Sequence, residues 1–361
     1  MTTQKSAIRF VLMVLVTAIV TLAGMIALPH DKCLRYQDLR DRQTQIAPWI
    51  YERIHYDRTP INIAFIGTSR TFLSIETKRL EERLAENGVH AKAANMAIVK
   101  TGRNMHYAIA KELLNNRHVD LLVLEITETE DRKPHPDFIY LADTKDVVFA
   151  PLLINLGYFD DLVRLPGRQI DLFIETVANK LGLRHDGFDP NTYIGPNKDQ
   201  AHYFKTSDGV VHVRDDVHSL DEMEKLRVIQ EASDTPPLSN RVPVFHDFFR
   251  RLEYRFPRLM MNRIIDLANA KGTKVVLLYL PRYGGPDVPP SYREVFADRA
   301  PLINPKPLLN SYTYWSDVPH LNWFGAERVT DYVADALVHD NLLPPGKDLR
   351  SYAGTEQDKA P

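Results

Sequence analysis

The sequence predicts an α/β fold, a three-layer, flavodoxin-like parallel sheet with a large insertion, preceded by one transmembrane helix. Three observations predict it. Short apolar runs alternate with helical stretches from residue 61 onward, an uncharged run fills residues 10–28, and the alternation lapses between about 130 and 243. Strands of a parallel sheet read as continuous apolar runs because helices cover both faces, leaving no solvated side to alternate with.

Phe10 to Leu28 carries no charge, with Lys5 and Arg9 before it and Pro29 after it. As a helix it measures roughly 28 Å, close to the ~30 Å hydrocarbon thickness of a bilayer. A core helix of that length shows a polar stripe, and this run has none. A cleaved signal peptide shares the basic flank and apolar run. No small-x-small cleavage site follows, and Cys33 lacks the small apolar residues of a lipoprotein box, so residues 1–29 are read as an uncleaved signal anchor. Lys32, Arg35, Arg40 and Arg42 outnumber Lys5 and Arg9, which by charge alone favours a cytoplasmic C-terminal domain.

Residues 30–60 are polar with scattered aromatics and read as a stalk and lead-in to a domain at 61–343. INIAFIG (61–67) is a first strand ending at glycine. The helix after it places Leu80 and Leu84 four apart and stops at Asn87-Gly88. AKAANMAI (91–98) is a second strand, followed after Gly102 by a helix with Met105, Ile109 and Leu113 on one face. VDLLVLEI (119–126) is a third strand. The insertion, rich in Pro, Asp, His and Tyr, reads as a cap or side lobe containing a helix over 170–182 and a polar stretch near 233–240. The rhythm resumes with a helix around 258–270 and a strand at 273–281. Asn322 can cap a last helix whose Val329, Val333 and Leu337 form an apolar face, and a polar tail occupies 344–361.

Composition narrows the function. The 361 residues hold 45 Lys+Arg against 47 Asp+Glu, without the basic excess that nucleic-acid binding calls for. The single cysteine, Cys33, excludes an intrachain disulfide and any Cys-x-x-Cys metal or redox motif. His202, His212 and His218 match no helical metal-ligand spacing and read as solvated or locally bonded, so no metal is expected.

Ligands of an open parallel sheet bind beyond the carboxyl ends of its strands. Gly67-Thr68-Ser69-Arg70-Thr71 follows the first strand, which exposes the Ser69 hydroxyl and offers helix N-terminal N–H groups to an oxyanion. By itself such a serine is more often a cap or turn residue. Asp317 and His320 stand three apart in the loop before the last helix. A serine nucleophile needs a base, and a base imidazole needs a carboxylate to fix its tautomer, so this loop supplies both if it sits beside the first strand end. Glu125, Glu128, Glu130 and Asp131 at the third strand's end read as a solvated loop, with Glu128 a candidate substrate contact. Tyr283, Tyr312, Tyr314, Trp315 and Trp323 either stack on sugar rings or pack beneath the catalytic loop.

Gly67, Ser69, Asp317 and His320 together resemble the SGNH (GDSL-type) hydrolase superfamily over about 61–128 and 258–340. The resemblance implies that Ser69 is the nucleophile, His320 the base and Asp317 its orienter. It further implies oxyanion donors from the Ser69 amide and a glycine after the second strand, for which Gly102 is the equivalent. The family's asparagine after the third strand is missing from EITETED (125–131), leaving Asn104 as a substitute donor and Arg70 as a candidate substrate contact. The anchor, the GTSRT turn and the late D-x-x-H look like the cell-envelope branch, whose members help O-acetylate exopolysaccharides or transfer D-alanine to teichoic acids. That likeness implies an esterase or O-acyltransferase without a cofactor, acting on polysaccharide or an acyl donor. It also implies a single-pass inner-membrane protein with a periplasmic domain and a multispanning membrane acyltransferase as partner. A non-catalytic glycan-binding or scaffolding subunit, and an esterase facing the cytoplasm, are the alternatives.

Overall fold

The computed structural model describes residues 2–128, 130, 133–199, 202–205, 210–233, 246–289 and 292–343. The helices are α1 (Thr2–Ile26), α2 (Lys32–Gln37), α3 (Ala47–His55), α4 (Ser69–Ser74), α5 (Thr77–Glu86), α6 (Arg103–Asn116), α7 (Phe138–Leu141), α8 (Thr144–Val148), α9 (Tyr158–Lys180), α10 (Leu220–Ser233), α11 (His246–Ala270) and α12 (Trp323–His339). The strands are β1 (Ile63–Ile66), β2 (Ala93–Asn95), β3 (Leu121–Ile126), β4 (Tyr203–Lys205), β5 (Val211–Val213), β6 (Lys274–Tyr279) and β7 (Leu302–Ile303).

Five strands form one all-parallel sheet in the order β2-β1-β3-β6-β7, which is 2-1-3-4-5 counted along the chain within that sheet. This is the doubly wound order of flavodoxin-like sheets, with its switch point between β1 and β3. Every residue of β1 and β3 is buried. Alternate residues divide between two cores. Ala64, Ile66, Leu122, Leu124 and Leu277 pack with Ile109 and Leu113 of α6 and Ile264 and Ile265 of α11. Ile63, Phe65, Val123 and Leu278 pack with Leu80 and Leu84 of α5 and Val329, Val333 and Leu337 of α12. β4 and β5 form a separate antiparallel hairpin.

Four differences from the sequence reading have physical reasons. Residues 30–60 are no stalk: Cys33, Tyr36, Trp49, Ile50 and Ile54, on α2 and α3, are buried in the first core. The insertion is no separate lobe, because Phe138, Ile139, Leu141, Val147 and Leu165 join that same core. Helices α9 and α11 begin well before the expected 170 and 258, each running through an internal proline, Pro166 and Pro257. β7 comprises only two residues within a Pro- and Tyr-rich stretch, too short for an apolar pattern to mark it. Residues 234–240 of the expected polar stretch, and the tail from Pro344, lie outside the described residues.

Residues Ser6–Ile26 of α1 are long and apolar enough to cross a membrane, and the span packs against nothing over most of its length.

Candidate active site

Gly67 ends β1 where a side chain has no room: a Cβ there would fall 2.5 Å from a Glu125 carboxylate oxygen. Thr68 adopts extended backbone and caps α4, its hydroxyl accepting from the Arg70 amide at 3.2 Å. Ser69 is thereby the first residue of α4, half-buried just beyond the carboxyl end of β1.

Glu125 fixes this turn from β3. It is fully buried and accepts from the Thr68 amide (2.8 Å), the Thr68 hydroxyl (2.7 Å), the Thr71 amide (3.1 Å) and the Thr71 hydroxyl. A buried carboxylate is tolerated only when its lone pairs are taken, and here four donors take them. The amides of Thr68, Arg70 and Thr71 are thus committed, whereas that of Ser69 donates to no group among the described residues.

His320 Nε2 lies 2.8 Å from Ser69 Oγ, across 251 residues of sequence. Its Nδ1 is 2.9 Å from Asp317 Oδ2, and its amide donates to Asp317 Oδ1 at 2.8 Å. A carboxylate against Nδ1 makes that nitrogen the N–H donor, leaving Nε2 to accept the serine proton. Asp317 keeps 48% of its side chain exposed.

Two sets of contacts bring these segments together. The seam between α5 and α12 is held by Arg79 on Asp331 (2.7 and 2.8 Å) and by Arg83 on Asp335 (2.9 and 3.0 Å). The Thr330 hydroxyl joins it by donating to the Ser74 carbonyl and accepting from the Glu76 amide, both at 3.1 Å. The second set comes from the insertion. Arg214, just after the β4–β5 hairpin, donates to the Leu321 carbonyl (2.6 Å) and the Ser316 hydroxyl (2.8 Å), and His218 Nε2 is 2.8 Å from the Ser316 carbonyl. Asn322 caps α12 through the Gly325 amide at 3.1 Å while its own amide group donates to the Asp216 carbonyl at 3.0 Å. Both sides of the D-x-x-H loop are therefore tied to the insertion.

The remaining expected residues sit elsewhere. Gly102 begins α6 with φ +149°, and a Cβ would fall 2.5 Å from the His135 side chain, so the crossing of segment 133–137 dictates glycine here. Asn104 Oδ1 accepts from the His135 amide at 2.9 Å, while its buried Nδ2 has no partner among the described residues. Among the described residues no hydrogen bond joins Gly102 or Asn104 to the triad, although the chain leading to them runs beside the β1–α4 turn, with the Ile98 amide donating to the Gly67 carbonyl at 2.9 Å. Arg70 is committed to Glu128 (2.7 Å) and the Leu280 carbonyl (2.9 Å), a brace across the strand ends.

The third-strand carboxylates are not solvated, a correction to their sequence reading. Glu125, Glu128 and Glu130 are buried, Glu130 by a two-point pair with Arg103 (2.6 and 2.5 Å), while Asp131 lies outside the described residues. Next to that pair, burial and then the Arg103 charge hold His106 well below the ordinary histidine range. Of the aromatic cluster, Trp315 is fully buried with its indole N–H on the Leu309 carbonyl (3.3 Å), packing beneath the loop. Trp323 lies against Phe324, with ring centroids 4.4 Å apart. His202 meets Glu76 at 2.5 Å, and the His212 side chain lies outside the described residues. No group of three or more potential metal ligands occurs among the described residues.

The fold and the site define a parallel α/β domain carrying a Ser-His-Asp hydrogen-bonded chain at its switch point. No known family model matches the chain, and no curated protein matches it.

Proposed function

We propose that the protein is a membrane-anchored serine esterase or O-acyltransferase of SGNH type, modifying an exported or cell-envelope polysaccharide. The observation that carries the reading is the continuous Ser69–His320–Asp317 contact chain. Ser69 Oγ attacks the acyl carbonyl carbon as His320 Nε2 takes its proton. Asp317 stabilises the imidazolium, and the uncommitted Ser69 amide faces the developing oxyanion. Collapse expels the alcohol, which receives the proton from His320, and leaves the acyl group on Ser69. Water in an esterase, or a sugar hydroxyl in a transferase, then attacks with His320 again as base. α1 anchors the domain in the inner membrane with the catalytic face in the periplasm, where such polysaccharides are modified. A multispanning acyltransferase is the partner this reading implies.

The test is acyl-ester turnover by the purified full-length protein on an aryl acetate and on O-acetylated polysaccharide. Ser69→Ala is expected to lower kcat by at least about 10³-fold; full turnover in that variant contradicts the mechanism. A non-catalytic glycan-binding or scaffolding subunit is the second reading. Favouring it, the end of β3 presents Glu128 bound to Arg70, with no amide donor to an oxyanion. Glycan binding by a protein inert to ester substrates is its expected signature.

A further inference from the structure

Helix α9 is a continuous 23-residue helix, roughly 35 Å long. One face is buried against the domain through Leu165, Arg168, Gln169, Leu172 and Thr176. On the opposite face Phe159, Val163, Ile170, Ile174 and Val177, with Leu181 just past the helix end, recur at helical spacing and meet no core; Val163 is 78% exposed. The loop before the helix adds Phe149 and Leu153, the latter 89% exposed. An apolar stripe this long with no partner among the described residues marks an interaction surface.

Its position relative to α1 says what covers it. Gln169 Nε2 donates to the Ile26 carbonyl at 2.9 Å, and the Asp31 amide donates to the Thr176 hydroxyl at 2.9 Å. Ile26 and Asp31 bracket the point where the apolar run 10–28 gives way to charged residues, which is headgroup depth for a spanning helix. Given the anchoring reading proposed above, α9 is thus fixed at the membrane surface, with its uncovered face still bare. We infer that α9 lies in the plane of the membrane as an interfacial helix, its apolar stripe and the 149–156 loop inserted among the lipids that hold α1. Interfacial helices of this kind bury their apolar face about 5–10 Å into the headgroup and acyl boundary. The charges beside the stripe include both signs and are paired, Asp160 on Arg164 and the partly buried Glu175 on Arg184, so the contact is apolar and independent of anionic lipid.

Spin labels test this on the full chain, with Cys33→Ser as background so that no native thiol takes label. Labels are placed singly at Val163, Ile174, Leu15 in α1 and Val228, an exposed apolar residue of α10. The protein is reconstituted in phosphatidylcholine vesicles, and accessibility to oxygen and to a water-soluble nickel chelate is compared. The expected result is that Val163 and Ile174 are open to oxygen and shielded from nickel, falling between Leu15 and Val228, unchanged by added phosphatidylglycerol. If Leu15 is in lipid while Val163 and Ile174 match Val228, the interfacial helix is wrong and the anchor stands. If Leu15 itself is in water, the anchor reading fails and this one with it. Shielding of Val163 and Ile174 from both reagents, seen only in native membranes, identifies a protein partner and overturns the lipid assignment.

Discussion

At the scale of single residues, the site depends on a carboxylate that performs no chemistry. Glu125 holds both threonines flanking Ser69 and Arg70, setting the pitch of the turn that aims the hydroxyl at His320. Glu125→Leu leaves those buried donors unpaired and is expected to cost about 2–5 kcal/mol of stability. Glu125→Gln retains an acceptor and is expected to fold with kcat lowered more than KM, which thermal melts and ester kinetics together measure. Asp161 supports a pH prediction. It is buried in the first turn of α9 with Oδ2 unpartnered, and burial, then Asp160 beside it, pushes its carboxyl up from 3.8 to about 6. The folded state therefore binds this proton more tightly than the unfolded state, and stability falls as pH rises from 3.8 through 6. Asp161→Asn removes the penalty, with an expected gain of up to about 3 kcal/mol near neutral pH and almost none below about pH 4. Chemical denaturation at the two pH values measures it; equal effects at both would assign the gain to another cause.

At the scale of elements, what was legible in the sequence follows from how each signal arises. The strands of the sheet's interior announce themselves because burial on both faces demands apolar runs, and α12 because Asn322 caps it and its valines recur at helical spacing. Ser69, Asp317 and His320 are legible because chemistry restricts their types and the doubly wound sheet restricts where nucleophiles sit. The role of Glu125 was not, since an acid at a strand end usually meets water. Its signal was its place inside VDLLVLEI and the two threonines at the facing turn. α2 and α3 were hidden by their charges: Arg35 and Arg53 are buried and donate to the carbonyls of Leu141, Ala142, Thr59 and Pro60, which only tertiary contact reveals. The insertion's function was likewise illegible, because its hold on the D-x-x-H loop runs through Arg214, over 100 residues away in sequence. Arg214→Ala is expected to lower kcat by roughly 10- to 100-fold through misplacement of His320, with KM changed little. An effect confined to KM would instead place Arg214 in substrate binding.

At the scale of the whole molecule, the parts converge on one end of the sheet. The seam between α5 and α12 holds the β1 turn that carries Ser69 against the loop that carries His320, and Arg214 and His218 of the insertion are bonded to that loop. α1 is long and apolar enough to cross a membrane, and α9 adds an exposed apolar stripe beside its end. The central claim is that Ser69 is chemically activated by His320, and covalent labelling tests it most directly. The full-length protein in membranes is treated with a fluorophosphonate, and the adduct is mapped by mass spectrometry in the native sequence and in His320→Ala. The expected result is an adduct on Ser69 that is lost in His320→Ala while the protein remains folded. No adduct on Ser69 in the native sequence, or undiminished labelling in His320→Ala, would contradict it.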